Sequence, residues 1–551
     1  MNSLFTGIAM LMISLNPSIS QDETSKFNTE GVTLSKGIGV TTDLSEISAM
    51  DATKKPKKEK KKKEVKYNEK GEIIKTGTNF GPLPVVAFDN DRGFQFGALL
   101  NLYNFGDGST YPNPKSSWYF EASAYVKEGR IGTQNYNIEY DNKEIFKNIR
   151  MSASILCRKD DALDFYGFNG YKSNYYMPSA SKALEEGERI LNDEFTSFQF
   201  TDDKQGDKML KKFNKNQNLS KGFYRHSRMM VRAKVDFTGQ ILPHFFWEAG
   251  YHFHWFDIDR FNPTGYKIFS SDDENLMRDY SLNLYDLYQE WGIIPNDGGK
   301  KYTSGNQANG GFSSALRAGL VYDSRDVESA PSKGIWADLH FIMAPKFLGT
   351  THPYYRMSAT FRHYVPIWQD KLVFAYRLTY QGFFNRNCPW YMMPFYTYMG
   401  KNSDYDGVGG YRSVRGLMMN RVVGPHELFG NLEFRYRFVD FKLWNQNIAF
   451  SITAFCDGGS VLGRGFDMKN NDYIQNKLQE EGKSEEYIQE SLRLYNHYVV
   501  SDRKYDGFHG AAGAGLRFIM NKNFIVAFEY AQNFNKQDGN GAFYINIGYL
   551  F

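Results

Sequence analysis

Phe543-Tyr544-Ile545-Asn546-Ile547-Gly548-Tyr549-Leu550-Phe551 closes the sequence. Side chains of an extended strand point alternately to opposite faces. Phe543, Ile545, Ile547, Tyr549 and Phe551 therefore share one face, and Tyr544, Asn546 and Gly548 the other. Residues 372–381 repeat the arrangement: Leu372, Phe374, Tyr376, Leu378 and Tyr380 oppose Arg377, Thr379 and Gln381. Segments of about ten residues with this alternation, separated by turn residues, are the signature of membrane-crossing β-strands. The apolar face is rich in aromatics near the strand ends, as membrane girdles are.

Outward from these segments the pattern predicts sixteen strands, at 93–105, 117–127, 132–141, 149–158, 163–176, 224–237, 245–257, 312–323, 335–345, 355–366, 371–384, 427–439, 447–457, 510–520, 524–534 and 541–551. The even count suits a closed barrel with both termini on one side of an outer membrane. Connections after even-numbered strands are short: Glu128 to Ile131, Thr238 to His244, Trp368 to Asp370, Lys522 to Asn523. Four after odd-numbered strands are very long, at 177–223, 258–311, 385–426 and 458–509. A soluble sandwich has no reason to sort its loops this way. The stretch Asn471 to Tyr495 in the last of them is rich in Glu, Lys and Gln and is expected to form a surface helix.

The composition agrees. Of 551 residues, 17 % are aromatic and 50 are glycine, while mean hydropathy is −0.54. No internal apolar run is long enough for a membrane helix. High aromatic content also opposes a disordered or coiled-coil chain. A net charge of +4 is too balanced for nucleic-acid binding, and much of the surplus sits in one run from Lys54 to Lys63. Cys157, Cys388 and Cys456 are too far apart for a metal-ligand motif and are expected to be unpaired. Residues 1–20 read as a secretory signal peptide, with an apolar core from Leu4 to Leu15 and small Ser18 and Ser20 before the cleavage point. Residues 21–79 read as a Lys-rich, disordered periplasmic tail, and 80–551 as the all-β barrel.

Four stretches resemble the BamA/TamA superfamily, also called the bacterial surface antigen family. Gly409-Gly410-Tyr411-Arg412-Ser413-Val414-Arg415-Gly416-Leu417 resembles the motif of its sixth outer loop, between strands eleven and twelve. Gly430 to Glu433 resembles the G-x-x-E of strand twelve, and Phe455 to Gly459 the F-x-D-x-G of strand thirteen. Asp323, Arg325 and Asp326, followed by Pro331 and Gly334, resemble the turn after strand eight. Phe551, at the end of the face begun by Phe543, resembles the C-terminal signal of barrel proteins. Leu417 departs from the family, which usually has an aromatic there. The resemblance implies a sixth loop folded into the barrel, held by Arg415. It also implies an outer-membrane protein acting in envelope biogenesis, inserting or translocating protein or lipid. Its expected partners are outer-membrane lipid, POTRA-bearing barrels, and periplasmic or surface lipoproteins. No POTRA repeat fits before residue 80, so the chain resembles a short subgroup.

The residues support the loop reading independently. Alternation on strand twelve turns Leu428, Leu432, Phe434 and Tyr436 to lipid and Glu433, Arg435 and Arg437 to the lumen. On strand thirteen Ile448, Phe450 and Ile452 face lipid, and Asp457 faces inward. Two carboxylates thus await a cation, and a guanidinium pairs with carboxylates strongly and with fixed geometry. Gly416 would allow a tight backbone beside Arg415. Arg228, Arg232, Lys234, Arg317, Arg356, Arg362, Arg377 and Arg517 also fall inside, offset in part by Glu248, Asp338 and Glu529. A basic lumen leaves open a passive or plugged pore for small anions, and a structural subunit of a surface complex is a further alternative. His252 and His254 share the inner face of strand seven and read as polar lining. No nucleophile elbow, zinc-protease motif or phosphate loop is present. Neither an enzyme nor a cofactor is expected.

Overall fold

The computed structural model describes residues 66–67, 73–175, 222–262, 266, 283–369, 371–385, 388–397, 404–443, 446–500, 503–522 and 524–551. The leader, the Lys54 to Lys63 run, and most of the loop segments 177–223 and 258–282 lie outside these residues.

Sixteen antiparallel strands close into one barrel. In chain order they are β1 (Thr78–Asp89), β2 (Gly93–Asn104), β3 (Ser116–Lys127), β4 (Arg130–Phe146), β5 (Ile149–Asp164) and β6 (Arg225–Leu242). There follow β7 (Phe245–Arg260), β8 (Gly310–Asp323), β9 (Gly334–Ala344), β10 (Tyr354–Trp368) and β11 (Leu372–Phe383). The circuit ends with β12 (His426–Leu443), β13 (Gln446–Val461), β14 (His509–Met520), β15 (Phe524–Asn533) and β16 (Ala542–Ile547). Every strand pairs with its sequence neighbours, and β16 returns to β1.

The count of sixteen holds, but one expected strand is absent and one observed strand was not expected. The segment 163–176 is not a strand: β5 runs on to Asp164 and the chain then enters a loop. The missing strand is β1, which precedes the first expected one and carries Pro82 and Pro84. Prolines offer no ladder donor and so hide a strand from pattern reading. The two errors cancel from β6 onward. Before it they shift the parity, so the tight turn at Glu128 and Gly129 lies at the end of the barrel that carries the long loops.

Alternation sets the two faces as expected. Leu316, Leu320, Phe341, Leu432 and Phe434 are exposed on the outer wall, while Arg317, Arg362, Arg377 and Glu433 are buried inside. Exposed apolar side chains on this scale fit a wall that meets hydrocarbon rather than water.

At the loop end the chain builds a dome over the lumen. Helix α1 (Leu284–Glu290) and the amphipathic pair α2 (Asn471–Glu480) and α3 (Glu485–Tyr498) pack on one aromatic core. The expected single surface helix is thus two, broken at Gly482, whose φ is +73°. Trp291 is fully buried at the centre, and its indole N–H donates to Ser491 Oγ at 3.0 Å. Asn283, Asn470 and Ser484 cap the three helices through their side-chain oxygens. Cys157, Cys388 and Cys456 are free thiols.

Candidate functional site

Strands β12 and β13 pair without a break from Glu427 to Arg437, before a bulge at Phe438, with Glu433 opposite Phe455 and Asn431 opposite Asp457. This brings both expected carboxylates to the inner wall. The loop between β11 and β12 folds inward and delivers Arg415 to them. Its Nε and Nη2 donate to Asp457 Oδ2 and Oδ1 at 2.7 and 3.0 Å, a two-point fork. Nη1 lies 2.7 Å from Glu433 Oε1 and 3.1 Å from Glu529 Oε1. The guanidinium carbon sits 3.5 Å from the centre of the Phe455 ring, a cation–π contact in a dry setting. Arg415 and all three carboxylates are fully buried.

Alternation places Glu529, on β15, on the inner face but does not mark it as a partner of Arg415. It belongs to the same network through Arg517, whose Nη2 is 2.6 Å from Glu529 and 3.3 Å from Glu433. Arg435 Nε adds a bond of 2.7 Å to Glu433. Three guanidiniums thus face three carboxylates. The balance matters, since a buried charge without a partner costs several kcal/mol.

The loop tip next to Arg415 reaches the last strands. Gly416 has φ +91°, and a Cβ there would lie 2.9 and 3.0 Å from the Cβ atoms of Ala511 and Ala531. Its N–H donates to Tyr544 Oη on β16 at 3.0 Å. Leu417 fills a buried cluster with Val414, Val422, Phe429 and Val461, so an aliphatic side chain suffices where the family has an aromatic.

The Asp323–Gly334 turn is also ordered by its own residues. Arg325 donates to Asp323 at 2.9 and 2.6 Å and to the Glu328 carbonyl at 2.9 Å. Asp326 accepts the N–H groups of Ser332 and Lys333 at 2.9 and 3.2 Å, just after buried Pro331. Trp336 lies between two guanidiniums, those of Arg325 and Arg362, each 3.8 Å from its ring.

The C-terminal residues divide. Phe543, Ile545 and Ile547 lie on β16, with Phe543 and Ile547 exposed on the outer wall. Tyr549 and Phe551 do not continue that face. Gly548 takes φ +94° after a last ladder bond to Ile525, and the chain turns into the lumen. Leu550 and Phe551 are buried there against Tyr364, Val373 and Ala375. Arg435 donates to the Phe551 carbonyl at 3.0 Å. Alternation alone does not foresee a glycine turn in a strand that ends the chain.

The seam is the weakest junction of the barrel. β1 pairs with β2 at all twelve positions from Thr78 to Asp89, but with β16 only through Asp89–Tyr544 and Phe88–Ile545. Pro82 and Pro84 remove donors from one edge of β1. The complete ladder to β2 identifies it as the edge facing β16.

The luminal cations are largely paired. Arg228 meets Asp160 at 2.7 Å, Arg317 meets Asp236 at 2.8 Å, and Arg362 meets Asp338 at 2.7 Å. Arg356 donates to the Phe395 carbonyl and Arg377 to Asn431, both at 2.8 Å. Arg232 donates to Ser154, and Lys234 is buried beside it. His252 contacts Asp236 at 2.8 Å, and His254 is buried above it.

One constellation had no sequence signal. His509, at the start of β14, lies between Asp538 at 2.7 Å and Asp506 at 3.1 Å, with the Tyr171 ring stacked 3.7 Å away. Arg421 lies 3.5 Å from Asp538 and donates to the carbonyls of Gln537, Gly170 and Ser173. Four loops meet here, and none of them announces the others. Burial alone would raise the Asp506 carboxyl. The hydrogen bond and charge of His509, with the N–H groups of Val461 and Tyr171, outweigh burial and hold it below its ordinary range. The stability this lends is complete above the ordinary carboxylate pKa of about 3.9 and is lost as pH falls below it. Limited proteolysis is therefore expected to cut the loops faster below about pH 4 than at pH 6, with the barrel core intact.

Among solved structures, the chain resembles BamA from Haemophilus ducreyi lacking POTRA domains 1-3, at 14 % identity and a TM-score of 0.42, over 86 % of this chain and 70 % of that one. It also resembles CdiB from Escherichia coli, at 9 % identity and 0.44, over 88 % and 67 %. CdiB from Acinetobacter baumannii follows at 11 % and 0.39, over 87 % and 61 %. None of the curated proteins matches the chain. The model of the Omp85 superfamily domain matches residues 169–551, which include the loop lock, the Asp323–Gly334 turn and β6 to β16. With well over half of its length matched, the chain belongs to the Omp85 superfamily.

Proposed function

We propose that the protein acts in outer-membrane biogenesis, inserting or translocating protein or lipid, and that it does so without catalysing a chemical reaction. The observation that carries this reading is the β1–β16 junction, held by two residue pairs, whereas β15 and β16 share six and β1 and β2 share twelve. A lateral opening there would expose strand edges to an incoming chain or to lipid at low cost, because few bonds must break. The inward loop supports the same reading. It fixes β12, β13 and β15 through the ion pairs of Arg415, whereas it meets β16 through a hydrogen bond to Tyr544 and the packing of Tyr411 on Ala542 and Tyr544, so the wall beside the seam is braced more firmly than the last strand.

In this reading the long loops face outward and both chain ends lie in the periplasm, the Lys-rich tail 21–79 included, once a leader ending at Ser20 is removed. The partners are outer-membrane lipid and envelope proteins that capture the cargo: POTRA-bearing barrels, and periplasmic or surface lipoproteins. The passive anion pore is the weaker reading, since the luminal guanidiniums are spent on carboxylates and carbonyls. The test is mild solubilisation of the tagged protein from outer membrane, with mass spectrometry of what accompanies it. Stoichiometric envelope partners are expected. A partnerless barrel with steady conductance in planar bilayers would overturn the proposal.

A further inference from the structure

The connections at the turn end of the barrel are tight, except for those from Phe105 to Lys115 and from Ser324 to Lys333. The second of these is the 324–333 turn. That turn leaves the wall between β8 and β9 and crosses beneath the lumen. Glu328 reaches the hairpin of β4 and β5, where it meets Lys143 at 2.7 Å and Arg150 at 3.3 Å. Its N–H donates to Asn113, between β2 and β3, at 3.4 Å. Ser329 Oγ donates to the Lys522 carbonyl, between β14 and β15, at 2.6 Å. Contacts at three separate stretches of the far wall make this turn a floor.

The C-terminal tail and that floor pack on the same side chains. Ala330 of the turn and Tyr549 of the tail pack on the same cluster of Ala449, Ile519 and Ile525. Trp336, held by Arg325 of the turn, packs on the cluster that buries Leu550 and Phe551. Each step along β16 advances its register against β1 by one. From Ile545–Phe88, an extended tail would bring Gly548 to Val85 and Leu550 to Leu83. The tail therefore has two alternative places: in the lumen over the floor, or along β1 closing the seam.

We propose that the 324–333 turn is a latched floor that keeps the seam ready to open. Latched by Glu328 to Lys143 and Arg150, it keeps residues 549–551 in the lumen and so holds the β1–β16 seam at two pairs. Freeing Glu328 releases the floor, and with it the tail. This concerns the barrel alone, so it can be tested without cargo and fails separately from the biogenesis reading.

The experiment places a single cysteine at Leu550→Cys in a chain carrying Cys157→Ala, Cys388→Ala and Cys456→Ala. Labelling by a membrane-impermeant maleimide is timed in detergent, on protein whose folding is verified by heat-modifiable mobility. Slow labelling is expected with Glu328 in place. Glu328→Lys is expected to speed it about five- to tenfold, the scale of a partly exposed ion pair turned repulsive. Lys143→Glu with Arg150→Glu should return the rate toward the original, and so should a disulfide between Ser329→Cys and Lys522→Cys. If Glu328→Lys does not fold, Glu328→Gln is read in the same way with a smaller expected rise. An unchanged rate in folded protein would overturn the proposal. So would a rise that neither the charge swap nor the disulfide reverses.

Discussion

Arg415→Ala is expected to destabilise the barrel by about 3–5 kcal/mol, the cost of stranding buried carboxylates without their cation. The change removes the fork on Asp457 and the bonds to Glu433 and Glu529 together. Glu433 and Glu529 would retain Arg517, whereas Asp457 would lose its only ion pair among the described residues. The stacking on Phe455 is lost as well. Arg415→Lys keeps the charge but not the planar fork, so an intermediate loss is expected. Urea unfolding of the barrel in lipid vesicles, followed by tryptophan fluorescence, measures both. A loss under about 1 kcal/mol for Arg415→Ala, the level of an exposed pair, would show that the loop is not locked.

Asp538→Ala is expected to be equally costly locally and less so globally. It removes the partner of His509 at 2.7 Å, the acceptor of the Tyr171 hydroxyl, and the carboxylate nearest Arg421. Three buried cationic or donor groups lose their shared carboxylate, a loss of about 3 kcal/mol. The hub joins loops rather than strands, so the loss should appear as local opening. Protease added from outside should then cut within 165–175 and 503–508, while the barrel keeps its heat-modifiable mobility. Asp538→Asn retains one acceptor and should be cut more slowly. Uncut loops in Asp538→Ala would mean that the dome core around Trp291 holds them without the hub.

Most of the barrel was legible because its physics repeats every two residues. Lipid on one side and a polar lumen on the other impose alternation, and that alternation placed Glu433 and Asp457 inside before any coordinates. The Arg415 contact was legible through a motif and a charge argument. β1 was hidden by Pro82 and Pro84, the residues that also weaken its outer edge. Glu529 escaped as a partner because strand alternation gives a face, not the height at which a loop will dock. The turn of Tyr549 and Phe551 into the lumen hangs on one glycine and on tertiary contacts with β10 to β12. The His509 hub and the Glu328 floor join segments far apart in sequence, and periodicity carries no information about such meetings.

If envelope material passes at the β1–β16 junction, the seam must open. Phe88→Cys with Ile545→Cys, in the chain free of its native cysteines, joins one of the two residue pairs that hold β1 to β16. The variant replaces the native protein in cells, and the protein and lipid composition of the outer membrane is measured under oxidising and reducing conditions. The oxidised barrel is expected to fold but to fail to sustain the envelope, and reduction to restore it. Full function with the seam covalently closed would contradict it.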